Sequence, residues 1–443
     1  KFIIVILHPV TTEYENNIDY VKEIIKSLKI INLPTIWSPI LPPTCDDPLW
    51  RPYEFKWIDN LGTQIIEGIR FTVGGQIIQQ FSGQYLYNLL NRDFSDTKKD
   101  LYDRMTGAVD ELCNPAQWSN NNGSYPNAYY NTSSAGPDPS IRGRKLYIPI
   151  NIWFTLAAQM AFPLVSLQYS ELEIHLDIRP VQEWFVIKNG SARGSTQPGG
   201  YDTLEGDYHA PDFNNSLDQF YRFIQPPPDQ SLNYIDFRTN WNADIHIIST
   251  YAFLTDDEVR VFAAKEQKYL IKEVHEYNFQ NITGPQRVYL ATMGLVSNWM
   301  WYFNRDDINL RNTWSNYSKW PYSYKPVGLI TPSDATLNPL YTYDCPLAPS
   351  VDLWPTTQPV TSTATNYLIT PTYTSANNQD IMTQWALLLD GKYRENTLDA
   401  GIPEYVEKWT RTAGGGKMGH NYGSWQGRGF EGPFYCYNFG LNT

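Results

Sequence analysis

The residues best equipped for chemistry are few, and their spacing does not suit it. Gly414-Gly415-Gly416-Lys417 invites comparison with a phosphate-binding loop. That loop requires a glycine five residues before the Gly-Lys pair and a Ser or Thr after it; here those positions hold Arg411 and Met418. A flexible loop is the better account. No Gly-x-Ser-x-Gly nucleophile turn and no His-Glu-x-x-His zinc motif occurs. The six histidines, at 8, 175, 209, 246, 275 and 420, lack metal-ligand spacing. Asp93, Asp96 and Asp100 miss the calcium-loop pattern because Arg104 stands where the bidentate acid belongs. Cys45, Cys113, Cys345 and Cys436 are scattered, with no Cys-x-x-Cys pair, and read as buried free thiols of a reducing compartment. Acidic pairs abound, but nothing selects one. No catalytic, cofactor or metal residue is therefore assigned, and the pattern points to a chain that binds, packs or assembles. Six Asn-x-Ser/Thr sequons, at Asn122, Asn131, Asn189, Asn214, Asn281 and Asn316, are the one set of candidate modification sites, and they mark exposed loops better than they mark glycans.

The elements that would carry these residues are mainly strands. In 443 residues and 51.1 kDa, 31 Pro and 28 Gly punctuate the chain throughout, which suits short strands joined by turns. The length exceeds one ordinary core, and two or three domains are expected. Aromatics make up 15% and charged residues 18%, so the chain folds. Its net charge of −12 repels phosphates and disfavours a general nucleic-acid binder. No run approaches the roughly 20 apolar residues of a membrane-spanning helix; Trp153 to Leu167 is interrupted by Gln159 and Pro163.

Along the chain, a short helix is expected around Asn17–Ser27. Ile69, Phe71 and Val73 alternate with Arg70 and Thr72, followed by a Gly74-Gly75 turn and a return strand from Gln76. Residues 84–113 read as helical. Leu172, Ile174, Leu176 and Ile178 alternate with polar neighbours, which puts His175 on the polar, solvated face. Further strands are expected at 244–254, 269–276, 286–295, 297–303, 384–389 and 434–441. A helix from Asp256 to about Gln267, with acidic residues at its N-terminus, is the best boundary between domains. Long polar stretches at 114–142 and 186–235 and a Trp/Tyr/Pro-rich stretch at 304–380 read as exposed functional loops. The plan of strands, loops, strands and helix then repeats, which suggests two similar β domains.

Three stretches resemble the major capsid proteins of the nucleocytoplasmic large DNA viruses, the double jelly-roll family. The first runs Trp57-Ile58-Asp59-Asn60-Leu61-Gly62 through Ile69-Arg70-Phe71-Thr72-Val73-Gly74-Gly75-Gln76. The second is Leu146-Tyr147-Ile148-Pro149-Ile150 with Trp153-Phe154, then Phe162-Pro163-Leu164-Val165-Ser166-Leu167-Gln168-Tyr169-Ser170-Glu171-Leu172. The third is Tyr251-Ala252-Phe253-Leu254-Thr255-Asp256-Asp257-Glu258-Val259-Arg260-Val261-Phe262-Ala263, running into Tyr269-Leu270-Ile271. They keep the family's order and cover about residues 30–276. Ser170, Val259 and Lys268 depart from the usual His, Arg and Glu, which suggests a divergent lineage.

The resemblance implies an all-β chain of two consecutive eight-stranded antiparallel jelly rolls with long loops and a few short helices. Residues 1–256 would form the first, 257–268 a helical linker and 269–443 the second. Its closing strands, and the family's N-terminal arm, are expected to lie outside this sequence. The implied role is a non-enzymatic structural subunit of an icosahedral virion, assembled in the host cytoplasm. It would form homotrimeric capsomers that contact neighbouring capsomers and minor capsid proteins beneath the shell. No cofactor, direct nucleic-acid binding or membrane insertion is implied. The alternative from composition is a carbohydrate-binding or carbohydrate-cleaving β-sandwich, with Trp and Tyr stacking on sugars and an Asp/Glu pair between them.

Overall fold

A computed structural model describes residues 2–5, 20–38, 40–41, 51–52, 54–116, 118, 121, 125–126, 128–131, 136–155, 160–167, 170–188, 208–214, 218–224, 241–266, 268–291, 294–318, 328–330, 342–343, 367–370, 381–413 and 434–440. The first half contains β1 (Phe2–Val5), β2 (Tyr20–Asn32), β3 (Ile40–Leu41), β4 (Arg51–Pro52), β5 (Glu54–Trp57), β6 (Ile66–Val73), β7 (Gln76–Phe81), β8 (Tyr129–Asn131), β9 (Gly136–Asp138), β10 (Lys145–Pro149), β11 (Leu172–Ile178), β12 (Phe185–Lys188) and β13 (His246–Leu254). Its helices are α1 (Leu61–Gln64), α2 (Gly83–Asp93), α3 (Asp96–Thr106), α4 (Asp110–Cys113) and α5 (Asp256–Ala264). The second half contains β14 (Asn298–Trp301), β15 (Gly328–Ile330), β16 (Thr342–Tyr343), β17 (Tyr367–Thr370), β18 (Gln384–Leu389), β19 (Lys392–Asp399), a π-helical turn at Ile402–Val406, α6 (Glu407–Arg411) and β20 (Tyr435–Asn438). The described chain is mostly β with short helices.

All described strand pairs are antiparallel. The largest sheet has the order β1-β11-β6-β7, and a second has the order β10-β2-β13. The alternation read in 172–178 is realised: Leu172, Ile174 and Leu176 are buried, and they pair with Val73, Phe71 and Ile69 on β6. Period-two side chains on adjacent strands thus meet on one face. Gly74 and Gly75 make the β6–β7 turn with φ of 56° and 80°, a backbone that L side chains resist. β5 and β12 add Phe55, Trp57, Phe185 and Ile187, so the sheets of the first half pool into one core. The Phe55 and Phe185 rings stack at 4.8 Å, and Phe223 packs 5.0 Å from Phe55.

Two expectations are corrected. Residues 20–27 continue the strand β2, not a helix. Val21, Ile24, Ile25, Ile30 and Ile31 make it β-branched, and it is flanked on both sides, by β10 and β13. Residues 84–113, read as helical, form the three helices α2, α3 and α4, with breaks at Phe94-Ser95 and after Gly107. The Ser82 side chain accepts from the Tyr85 N–H at 3.2 Å and caps α2, whose Leu86, Leu89 and Leu90 are buried. Finally, 269–276 and 286–291 belong to no strand; neither is laddered to a neighbour among the described residues. The expected strand at 297–303 survives as β14. The helix expected from Asp256 forms, closed by a capping box in which Glu258 accepts from the Thr255 N–H at 2.9 Å.

Candidate assembly surface

The segments read as exposed loops are anchored from inside. From the 186–235 stretch, Phe220 and Phe223 return to the Phe55–Phe185 cluster, and His209 bridges to Ile187. The Tyr208 hydroxyl donates to Glu54 at 2.8 Å, and the Lys56 ammonium lies 4.3 Å from the Tyr208 ring centroid. From the 114–142 stretch, Tyr125 is buried and donates to the Phe55 carbonyl at 2.7 Å; burial raises its pKa. Such anchors hold the ends of a loop while leaving its remainder free to vary.

The start of the 304–380 stretch differs from its expected exposure. Residues 305–318 form a strap against the first half. The Asn312 amide donates to the carbonyls of Gln182 and Phe185 at 2.8 and 2.9 Å. Trp314 donates to the Glu183 carbonyl at 3.2 Å, and the Arg179 guanidinium sits 4.0 Å from its ring centroid. Buried Gln84, on α2, donates to Gln64 and to the Trp314 carbonyl and accepts from the Tyr317 hydroxyl at 2.6 Å. Sequence reasoning missed this strap because polar residues such as Asn312, Ser315 and Ser318 mimic a solvated loop. Asn312 and Ser315 find their partners in distant segments, at Gln182, Phe185 and Asn60.

A second contact joins β20 to α2. Tyr87, Tyr317, Phe434 and Cys436 form a small buried cluster of their own. Beside it Lys408, only 2% exposed, donates to the Phe434 carbonyl and lies 3.9 Å from the centre of that ring. Burial lowers the Lys408 pKa to about 8. Burial pushes the Cys436 thiol up to about 11, which holds it protonated and non-nucleophilic. Arg92, also buried, is held by a bidentate pair to Asp93 at 2.6 Å. Glu407 accepts from the Asn438 N–H at 3.3 Å, and Arg411 donates to the Asn438 carbonyl at 2.6 Å. These groups are spent on main-chain and ion-pair contacts that seat α6 on β20.

The sequence candidates are not brought together. Asn214 is exposed, and its N–H and amide both donate to Asp212 at 2.9 Å. Asn281 is exposed with φ of 60°. Asn316 is half-buried and accepts from its own sequon's Ser318 hydroxyl at 2.7 Å. Asn131 lies on β8, while Asn122, Asn189, Cys45, Cys345 and Gly414-Gly415-Gly416-Lys417 lie outside the described residues. His175 sits as its alternation requires, half-buried at the polar face, 2.9 Å from Glu173 and 3.4 Å from Thr72. Among the described residues no group of three or more His, Cys, Asp and Glu could hold a metal ion. No helix among them is long and apolar enough to cross a membrane.

Several large apolar side chains also stand at the surface. Phe253, Val261, Leu270, Tyr289, Tyr393, Tyr405 and Trp409 are all largely exposed, a pattern that marks contact surfaces. Residues 37–214 match the family model described as "Major capsid protein N-terminus". Over 131 residues the chain is 28% identical to the major capsid protein of Phaeocystis pouchetii virus, a match covering 29% of this chain and 25% of that one. It is equally identical, over 131 residues, to that of Chrysochromulina ericina virus, covering 29% of this chain and 22% of that one. The matched stretch therefore spans about a quarter of the length of these curated relatives. The solved structure of the Faustovirus major capsid protein aligns with a TM-score of 0.53 at 10% identity, covering 96% of this chain and 79% of that one, a likeness of fold. The resemblance read from the sequence is borne out: residues 37–214 carry the N-terminal pattern of the major capsid proteins, and the chain is similar to those of large DNA viruses.

Proposed function

We propose that this chain is a structural major capsid protein of a large icosahedral double-stranded DNA virus, without catalytic activity. The observation that carries the reading is the family match over 37–214, a span that contains most of the first half's core, from Phe55 and Trp57 to Phe185 and Ile187. In this reading 1–256 and 269–443 are two jelly rolls joined by a helical linker at 257–268; the position of α5, Asp256–Ala264, is consistent with that boundary. Each sandwich buries apolar faces between two antiparallel sheets.

Two similar lobes per chain explain why a threefold ring suits the molecule. Three copies around a closed axis present six comparable lobes, a near-hexagonal tile that fills a lattice. The stretches 114–142, 186–235 and 304–380 supply the crown and subunit contacts, apart from their anchored portions. Neighbouring capsomers and minor capsid proteins are the partners, the virion is the location and host cytoplasm the place of assembly. Trimer interfaces of obligate type bury on the order of 2,000–5,000 Å² each. The test is size-exclusion chromatography with light scattering on the purified chain. The expected mass is three times 51.1 kDa. A single-chain mass at every concentration, or a monomer that binds glycans, overturns the proposal.

A further inference from the structure

Two paired strands of the second half divide their side chains between two clusters. In β14 and β20, Met300 lies opposite Cys436, while Trp299 and Trp301 lie opposite Tyr437 and Tyr435. Alternation sends these sets to opposite faces of the sheet. On one face Phe434 and Cys436 are buried with Tyr87 and Tyr317, and Met300 and Tyr302 pack beside them. The Tyr302 and Tyr317 rings stack at 4.4 Å, and Tyr317 lies 6.1 Å from Tyr87. On the other face Trp301 sits 5.7 Å from Tyr435. Trp385 of β18 sits 5.5 Å from Trp301 and 5.2 Å from Tyr437. Glu395 of β19 adds to that side by accepting from the Tyr437 hydroxyl at 2.7 Å.

The first of these faces rests on the first half. Tyr87 belongs to α2, and its neighbour Leu86 is buried in the large core, so one helix serves both clusters. Beyond α5 the chain is fastened to the first half twice more. Tyr269, Ile271 and Val274 pack against the large core, with the Tyr269 ring 5.3 Å from Trp153. Gln79 donates to the Lys272 carbonyl at 3.2 Å, and Glu276 accepts from the Ser82 N–H and hydroxyl, both at 2.8 Å. The strap at 305–318 is the second fastening. Parts of a chain move against each other by default unless the contact between them is extensive and apolar. A linker at 257–268 would act as a hinge only if the chain beyond it could swing, and these contacts oppose that.

We infer that the β14–β20 sheet is a wall shared by the two halves, which makes them open as one cooperative unit and leaves 257–268 no hinge role. Such a wall acts within one chain, whatever the oligomeric mass. The test is amide exchange on the full chain, comparing β11 with β20. Ile174, on β11, belongs to the large core and not to the wall cluster. Ile174→Val should speed exchange about fivefold on β11, and by the same factor on β20. In a background carrying Tyr87→Ala or Met300→Ala, β20 should exchange faster than β11 and stop following Ile174→Val. Met300 is only half-buried, so its background serves if Tyr87→Ala does not fold. Acceleration confined to β11 in the otherwise unaltered chain overturns the cooperative unit. Equal acceleration of both strands in every background places the coupling elsewhere and overturns the wall.

Discussion

Replacing Lys408 with Met tests whether the contact between α6 and β20 is correctly described. Lys408 is buried, and that burial lowers its pKa from the ordinary 10.5 to about 8. Cys436 and Glu404 pull that value back up, and Lys99 adds to the lowering. Between pH 8 and 10.5 the unfolded chain binds more protons at this group than the folded one, so stability rises with pH across that window. The whole interval corresponds to about 3 kcal/mol, and about 2 kcal/mol of it is realised by pH 9.5. Cys436 has the opposite sign: with its thiol raised from 9.0 to about 11, it removes stability as pH climbs through that range. Tyr85, raised to about 12, does the same higher still. Both groups remain in the variant, so the comparison is of differences, kept at or below pH 9.5. Urea unfolding of wild type and Lys408→Met at pH 7.0, 8.5 and 9.5, followed by tryptophan fluorescence, reads the effect. Wild type should gain about 2 kcal/mol on the variant from the lowest to the highest pH. Curves that stay parallel within about 0.5 kcal/mol refute the description of a buried, desolvated ammonium.

Three further outcomes follow from named contacts. A Cβ at Gly83 would stand 2.0 Å from the Thr63 carbonyl oxygen and 2.4 Å from that of Ile66; both are main chain, so Gly83→Ala should destabilise by on the order of 3 kcal/mol, seen as a lowered thermal midpoint. Gln84→Met leaves the Tyr317 hydroxyl and the Trp314 carbonyl without their partner; the cost should be roughly 3 kcal/mol, with faster amide exchange confined first to 311–318. His175→Ala removes a partly exposed pair with Glu173 and a long contact to Thr72; stability should change by no more than about 0.5 kcal/mol, and a larger loss measured in urea would contradict the solvated reading of that face.

Much of the first half was legible from the chain alone because its signals are local. The alternation at 172–178, the glycine pair at 74–75 and the acidic start of α5 each encode their own geometry within a few residues. The capsid resemblance was equally a property of contiguous stretches, and it is borne out over residues 37–214. Where non-local pairing competes with local pattern, the local reading failed. Residues 20–27 resemble a short helix until β10 and β13 are laid on either side, and 286–291 resemble a strand that no neighbour among the described residues completes.

Amino-acid order by itself determined the β character, the turns, the chief alternating faces and the kinship with capsid proteins, since these depend on side-chain types at fixed short spacings. Only the tertiary structure decided that Gln84 reaches Tyr317, that Lys408 is stripped of water beside Phe434, and that Asn312 reaches the carbonyls of Gln182 and Phe185. Burial and hydrogen-bond partnership join residues from 26 to 233 positions apart in these cases, and no local spacing specifies them.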